Sequence, residues 1–208
     1  MILIGQYDSP FVRRVGIALT LYGLPFEHRP WSSFADAEKI RPYNPLTRVP
    51  TLVLDDGAVL VDSHAMLDYL DSRVPAERAL FPAQEPARHL ALALAGLAAG
   101  FADKAVTLFY EKRMHREVSP AWADRCRAQI ADTLAALEAA RAAGTGPYWF
   151  GDRIGHADIM VAAALRFAAE AHPDVVSLAA SPALAAAAAR LEALPVFQQI
   201  QQTFIPPV

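Results

Sequence analysis

Val49-Pro50-Thr51-Leu52-Val53-Leu54-Asp55-Asp56-Gly57-Ala58-Val59-Leu60-Val61-Asp62-Ser63 is the stretch on which the fold turns. Thr51 to Leu54 and Val59 to Val61 are short runs of strand-forming residues, and Asp55-Asp56-Gly57 between them is a strong hairpin signal. Pro50 opens the first run, where its missing N–H makes it a poor central strand residue. It therefore marks either a plain strand start or a special turn, a cis peptide among the options. Asp62-Ser63 stands where a helix begins, with Ala65, Met66, Tyr69 and Leu70 along one side of it.

Upstream, Ile2 to Ile4 is a brief apolar strand. Pro10 to Tyr22 follows as a helix, with Phe11, Val15, Ala18, Leu19 and Tyr22 at near-helical spacing. Gly23-Leu24-Pro25 is a turn into a second strand, Phe26 to Arg29. The order is β-α-β, a helical turn, then β-β-α, which fits a thioredoxin-like layer of sheet and helices. After Pro82, Gln84 and Pro86 the composition shifts to alanine and leucine. Glu85 to Val118 has the length of one long helix. Ser119-Pro120 supplies an N-cap and first-turn proline for a helix running to about Ala143, and Gly144-Thr145-Gly146-Pro147 ends it. Further helices are expected near 156–170, 182–193 and 195–203. The expected division is an α/β thioredoxin-like domain over 1–77 and an all-helical domain over 86–208.

Of the 208 residues 54% are hydrophobic and 20% charged, the balance of a chain with a packed core. The formal charge is −3, and the densest basic stretch, Lys112, Arg113, His115 and Arg116, lies between Glu111 and Glu117. It reads as a solvated helix end, so no nucleic-acid partner is expected. Cys126 is the single cysteine, which excludes an intramolecular disulfide and a cysteine-based metal site. The N-terminus lacks a signal-peptide pattern. The apolar stretch Leu90 to Ala102 is too short to span a bilayer. A reducing cytoplasm, with no membrane partner and no bound metal, is the expected setting.

Three places could carry chemistry. Ser9-Pro10-Phe11 follows the first strand; it serves as an ordinary N-cap, or as a hydroxyl beside unpaired N–H groups able to hold an anion. Val49 before Pro50 could pair its backbone with an extended peptide. Asp62-Ser63 is a second helix N-terminus suited to a carboxylate. Each alone reads equally as local structure; the three in this order are more specific.

With these motifs the chain resembles the glutathione transferase family. The matching residues are Ser9-Pro10-Phe11, Asn44-Pro45-Leu46-Thr47-Arg48-Val49-Pro50-Thr51-Leu52, Val61-Asp62-Ser63, and Gly151-Asp152 with Ala157-Asp158 in the helical half. The resemblance covers nearly the whole chain and implies a homodimer with glutathione as co-substrate and no tightly bound cofactor. It implies that Ser9 is a catalytic serine donating a hydrogen bond to the glutathione sulfur. Val49, ahead of a cis-Pro50, would pair with the cysteinyl backbone. Asp62 and Ser63 would hold the γ-glutamyl end, and Arg48 would lie near the glycyl end. Tyr7 is an alternative sulfur partner. Tyr7, Phe11, Phe101, Tyr110, Arg113 and Phe167 are candidates for the pocket of a small hydrophobic electrophile. Asp103, charged within an apolar stretch, would either face the ligand's amino group across a dimer or be simply exposed.

Two departures from the family pattern matter. Where relatives have a Ser/Thr-x-x-Asp capping box, this chain has Gly155-His156-Ala157-Asp158, and glycine at an N-cap costs only a few tenths of a kcal/mol relative to serine. Cysteine-type relatives carry a thiol where Ser9 stands, and Cys126 is expected to be buried and inert. The function expected is glutathione addition to electrophiles or reduction of organic peroxides. The competing expectation is a non-catalytic dimerisation or ligand-binding module of the same fold. A thioredoxin-type oxidoreductase is disfavoured by the lack of a Cys-x-x-Cys pair.

Overall fold

A computed structural model describes residues 1–206. The chain divides into two compact units: Met1–Ala83 together with the segment from Leu194 onward, and Gln84–Ala193.

The first unit runs β1 (Ile2–Ile4), α1 (Pro10–Tyr22), β2 (Glu27–Arg29), α2 (Ala37–Ile40), β3 (Thr51–Val53), β4 (Val59–Val61) and α3 (Ser63–Ser72). Its sheet has the order β2-β1-β3-β4. β1 pairs parallel with β2 and antiparallel with β3, and β3 pairs antiparallel with β4. Strand alternation sends Ile4 and Val53 to one face, where they pack with Ile40 of α2 and with Trp31, Tyr43 and Val49. Leu3 and Leu52 are fully buried on the other face, the side of α1 and α3. The β3–β4 turn closes with Leu54 N–H to Ala58 O at 2.8 Å, and Asp56 accepts from the Ala58 N–H at 2.9 Å. α1 ends at Gly23, whose φ of 67° suits glycine, and Leu24 N–H returns to Leu19 O at 3.0 Å.

The connection after α3 is tied down by one carboxylate. Asp71 accepts the Phe81 N–H at 3.1 Å and the Tyr22 hydroxyl, which itself accepts from the Leu80 N–H at 2.9 Å. The unit therefore extends past residue 77 to Ala83.

The second unit holds α4 (Ala87–Met114), α5 (Pro120–Ala143), α6 (His156–Ala171), a 3-10 turn (Leu178–Ala180) and α7 (Pro182–Glu192). Ala91, Ala95, Ala98, Ala102 and Ala105 are buried along one face of α4, which packs against α5 and α6. Small side chains at this spacing let helix axes approach closely. By length and composition alone α4 could cross a membrane. The apolar run noted in the sequence thus sits inside a longer helix, 28 residues in all. Its buried alanine face is that of a helix in a protein core.

α4 is shorter than expected at both ends. Pro86 takes the N-cap position, and His115 turns extended at φ −96°, ψ 139°. The turn that follows is held by Glu111, buried, which accepts from Ser119 N–H at 2.7 Å and pairs with His115. α7 starts on a borrowed cap: the two oxygens of Glu138 in α5 accept from the Ala183 and Leu184 N–H groups, both at 2.9 Å.

The expected 86–208 helical domain is corrected at its end. α8 (Pro195–Gln199) belongs to the first unit and stops at Gln199 rather than 203. Arg13 of α1 is the cause. Its Nε donates to Ile200 O at 2.9 Å, its Nη2 to Phe197 O at 3.2 Å, and its guanidinium lies over the Phe197 ring. These carbonyls are held by a side chain from 184 and 187 residues earlier.

Candidate functional site

The strand register gathers the three sequence motifs. Ile4 is opposite Thr51, and Thr51 is opposite Val61. The C-terminal end of β1, the start of β3 and the end of β4 therefore share one end of the sheet. The chain leaving Ile4 toward Ser9, the Arg48–Pro50 segment and Asp62–Ser63 emerge there side by side.

Gly5 allows this crowding. It has a φ of 131°, and a Cβ there would stand 2.5 Å from Val12 Cγ2 and 2.8 Å from Val49 Cβ. Ser9 is the N-cap of α1, at φ −69°, ψ 123°. Its Oγ accepts from the Val12 N–H at 3.4 Å, beyond the usual range for such a bond. The hydroxyl is half-buried and is weakly committed to capping.

Tyr7 lies just before it. Its ring stacks on His28 at 3.9 Å and packs against Gly16, where a Cβ would stand 2.8 Å from the ring. Burial pushes the Tyr7 hydroxyl up to about 12. His28 Nε2 meets Gly5 O at 2.8 Å, and burial pushes its imidazole down.

Asn44, buried, shapes the second loop. Its Nδ2 donates to Arg48 O at 3.1 Å and to Thr51 Oγ1 at 2.9 Å, and its Oδ1 accepts from Leu46 N–H at 3.0 Å. Thr47 has a positive φ of 50°, and the Val49–Pro50 peptide is cis. Among the described residues no backbone hydrogen bond engages Val49. Arg48 is exposed.

At the third loop Asp62 adopts φ 72°, ψ 122°, a strained conformation for a residue with a Cβ. It is exposed, and its Oδ1 accepts from His64 N–H at 2.7 Å, capping α3. Ser63 is buried, and its Oγ accepts from Nη2 of Arg14 at 2.5 Å. Burial pulls the Arg14 guanidinium down to about 10, and Asp62 works against that pull.

The remaining candidates fall in both units. Phe11 is half-buried beside Arg14, whose guanidinium lies 5.9 Å from the ring centroid. In the helical unit Phe101 and Phe167 are buried, whereas Tyr110 and Arg113 are exposed. Asp103 is exposed and paired with Lys104 at 3.2 Å. Cys126 is fully buried, and burial pushes its thiol up. Residues read from sequence thus meet at the sheet end for Ser9, Val49, Pro50, Asp62 and Ser63. Arg14 was not foreseen there. Its available signal was the Arg13-Arg14 pair within an otherwise apolar helix start.

The departure at residue 155 is resolved by Asp158. Glycine has no side-chain oxygen, so only half of a capping box forms: Asp158 Oδ2 accepts from Gly155 N–H at 2.9 Å. The other oxygen accepts from Trp149 N–H at 3.0 Å. Burial raises the Asp158 carboxyl to about 6 against these bonds.

Residues 3–78 match the family model "Glutathione S-transferase, N-terminal domain", and residues 120–190 match "Glutathione S-transferase, C-terminal domain". The chain is 29% identical over 202 residues to maleylacetoacetate isomerase of Mus musculus, covering 95% of this chain and 90% of that one. It is 30% identical over 207 residues to glutathione S-transferase Z1 of Arabidopsis thaliana, covering 94% and 89%. A glutathione S-transferase of Methylobacterium radiotolerans, crystallised with glutathione sulfonate, superimposes with a TM-score of 0.87 at 30% identity, covering 100% of this chain and 98% of that one.

Proposed function

This chain belongs to the glutathione S-transferase family, and on that premise we propose that it binds glutathione at the gathered sheet end, ionises its thiol, and adds the sulfur to a hydrophobic electrophile. The observation that carries this is the register Ile4–Thr51–Val61, which sets the Ser9, Val49–Pro50 and Asp62–Ser63 loops beside one another.

The roles follow from what each loop offers. Val49 has its backbone groups available to an extended peptide. Ser63 and the start of α3 suit the γ-glutamyl carboxylate, and the exposed Asp62 suits its ammonium group. Arg48, exposed on the middle loop, suits the glycyl carboxylate.

Ser9 acts on the sulfur. A thiol of pKa near 8.5 must drop by about two units to be mostly ionised at neutral pH, roughly 2.7 kcal/mol. The α1 N-terminus supplies about 0.3–1 kcal/mol, up to ~2 when partly buried. A hydrogen bond to the charged sulfur adds about 1.5–3 kcal/mol. The two together are sufficient. Ser9 therefore donates a hydrogen bond and need not accept a proton. Tyr7 is a weaker candidate, since its ring is committed to His28 and Gly16.

The thiolate then attacks the electrophilic carbon and forms the C–S bond, and the displaced group or the protonated adduct leaves. Reduction of an organic peroxide begins from the same thiolate. A second reading is favoured by the 29% identity to the mouse maleylacetoacetate isomerase. In it the thiolate adds to a double bond, the adduct rotates, and elimination returns glutathione unchanged. Leu90 and Leu97 are exposed seven residues apart on one face of α4, and they suit the apolar contact of a homodimer.

Ser9→Ala is the test. Thiolate absorbance of bound glutathione should titrate about one to two units higher in the variant, the equivalent of the lost hydrogen bond. An unchanged titration removes Ser9 from the mechanism. Retention on immobilised glutathione without conjugation of a generic electrophile would favour the non-catalytic module. Turnover of a cis-enone with glutathione recovered intact would favour the isomerase.

A further inference from the structure

Two arginines enter α1 side by side, and both are buried. Arg13 has its carbonyl partners in the segment from Phe197 to Ile200. Arg14 differs. Its Nη2 donates to Ser63 Oγ, while Nε and Nη1, equally buried, have no hydrogen-bond partner among the described residues. Its residue exposure is 1%.

A buried guanidinium is costly unless a carboxylate or a full set of acceptors meets it. The neighbouring carboxylate, Asp62, is at the surface, with one oxygen occupied by the His64 N–H. Even so, with its pKa near 10 Arg14 stays charged at neutral pH. The fold thus holds an under-compensated positive charge directly behind the first residue of α3.

The contact with Ser63 has a direction. Arginine only donates, so the Ser63 hydroxyl must accept from it. That leaves the Ser63 proton free to be donated elsewhere. The hydroxyl is polarised by the cation behind it and stands at a helix N-terminus, where the backbone also favours an anion.

We propose that Arg14 is the positioning residue of the γ-glutamyl subsite: it orients Ser63 and supplies the buried positive charge that makes the site demand an intact α-carboxylate. This rests on glutathione being the ligand. The carboxylate of the bound tripeptide meets Ser63 and not the buried Nε and Nη1, so it balances the Arg14 charge through that hydroxyl and through space, and the cost of burying Arg14 falls on binding.

The test compares glutathione with γ-aminobutyryl-cysteinyl-glycine, the same tripeptide without that carboxylate. Affinities are measured by calorimetry for the full-length protein and for Arg14→Met. The wild type should prefer glutathione by about tenfold or more, as expected for a charged hydrogen-bonding group. In R14M that preference should fall to near parity, through loss of glutathione affinity with the analogue little changed. The KM for glutathione should rise while kcat at saturating glutathione holds. The ligand-free variant should melt no lower than wild type, because an unmet buried charge has been replaced by an apolar chain of similar length.

Equal weakening toward both ligands, an unchanged preference, or a strongly lowered melting temperature would overturn the proposal and leave Arg14 a structural tie between α1 and α3. If R14M is insoluble, R14Q keeps one donor for Ser63 without the charge and answers the same question. Failure of the wild type to bind glutathione at all would instead remove the ligand assignment beneath it.

Discussion

Asp158→Ala should be among the most damaging single changes available in the helical unit. The side chain is 3% exposed, and each oxygen serves one backbone N–H: Trp149 at 3.0 Å and Gly155 at 2.9 Å. Truncation leaves two partly buried donors without acceptors, at about 1–3 kcal/mol apiece. It also removes an acidic group from the first turn of α6, worth about 0.3–1 kcal/mol. Against that stands the burial that lifts the carboxyl to about 6, which shows that the site does not hold the charge cheaply at neutral pH. A net loss of about 2–4 kcal/mol is expected at pH 7, or roughly 5–15 °C in melting temperature for a chain of this size. The sign of the pH dependence is specific. A carboxyl whose folded pKa exceeds its unfolded value binds its proton more tightly when folded. Its contribution is fully present below about pH 4 and declines as pH rises toward 6, so the gap between wild type and D158A should be wider at pH 4.5 than at pH 7. Urea unfolding followed by tryptophan fluorescence at several pH values measures both. A loss under about 1 kcal/mol, or a gap that widens with rising pH, would refute the assignment of Asp158 as the staple of this turn.

Two further outcomes follow from buried polar side chains. Asn44→Ala removes three bonds that shape the loop before Pro50 and should cost about 2–4 kcal/mol; it should raise the KM for glutathione more than it lowers kcat, as read by steady-state kinetics. His172, buried with Nε2 on Ala105 O at 2.8 Å, has its imidazole pushed down by burial, so it takes up a proton more readily unfolded than folded. Stability should therefore fall as pH drops below about 6.5, and His172→Gln, which keeps a donor but does not titrate there, should flatten that limb in thermal melts.

Much of the chain's local structure was legible in the residues. Ile2–Ile4, Pro10–Tyr22, Val59–Val61 and Pro120–Ala143 have the bounds their patterns indicated. Such elements begin and end through bonds of short reach: Leu24 N–H to Leu19 O, Ala58 N–H to Asp56, His64 N–H to Asp62. The motifs around Ser9, Pro50 and Asp62 were visible for the same reason, since caps and proline turns are written in consecutive residues.

What sequence alone could not decide depends on partners far along the chain. Arg13 and Arg14 are adjacent and chemically identical, yet one fastens the segment near Ile200 and the other stands behind Ser63. Nothing within a few residues of either distinguishes them. Likewise Asp158 reads as one half of a local cap, and only folding brings Trp149 onto its second oxygen. Patterning specified the strands, caps and hairpin because hydrophobic period and hydrogen-bond reach act over a turn or two. The burial of a charge, the order β2-β1-β3-β4 and the company kept by the last helix were set by the tertiary structure, because desolvation is decided by everything that surrounds a group.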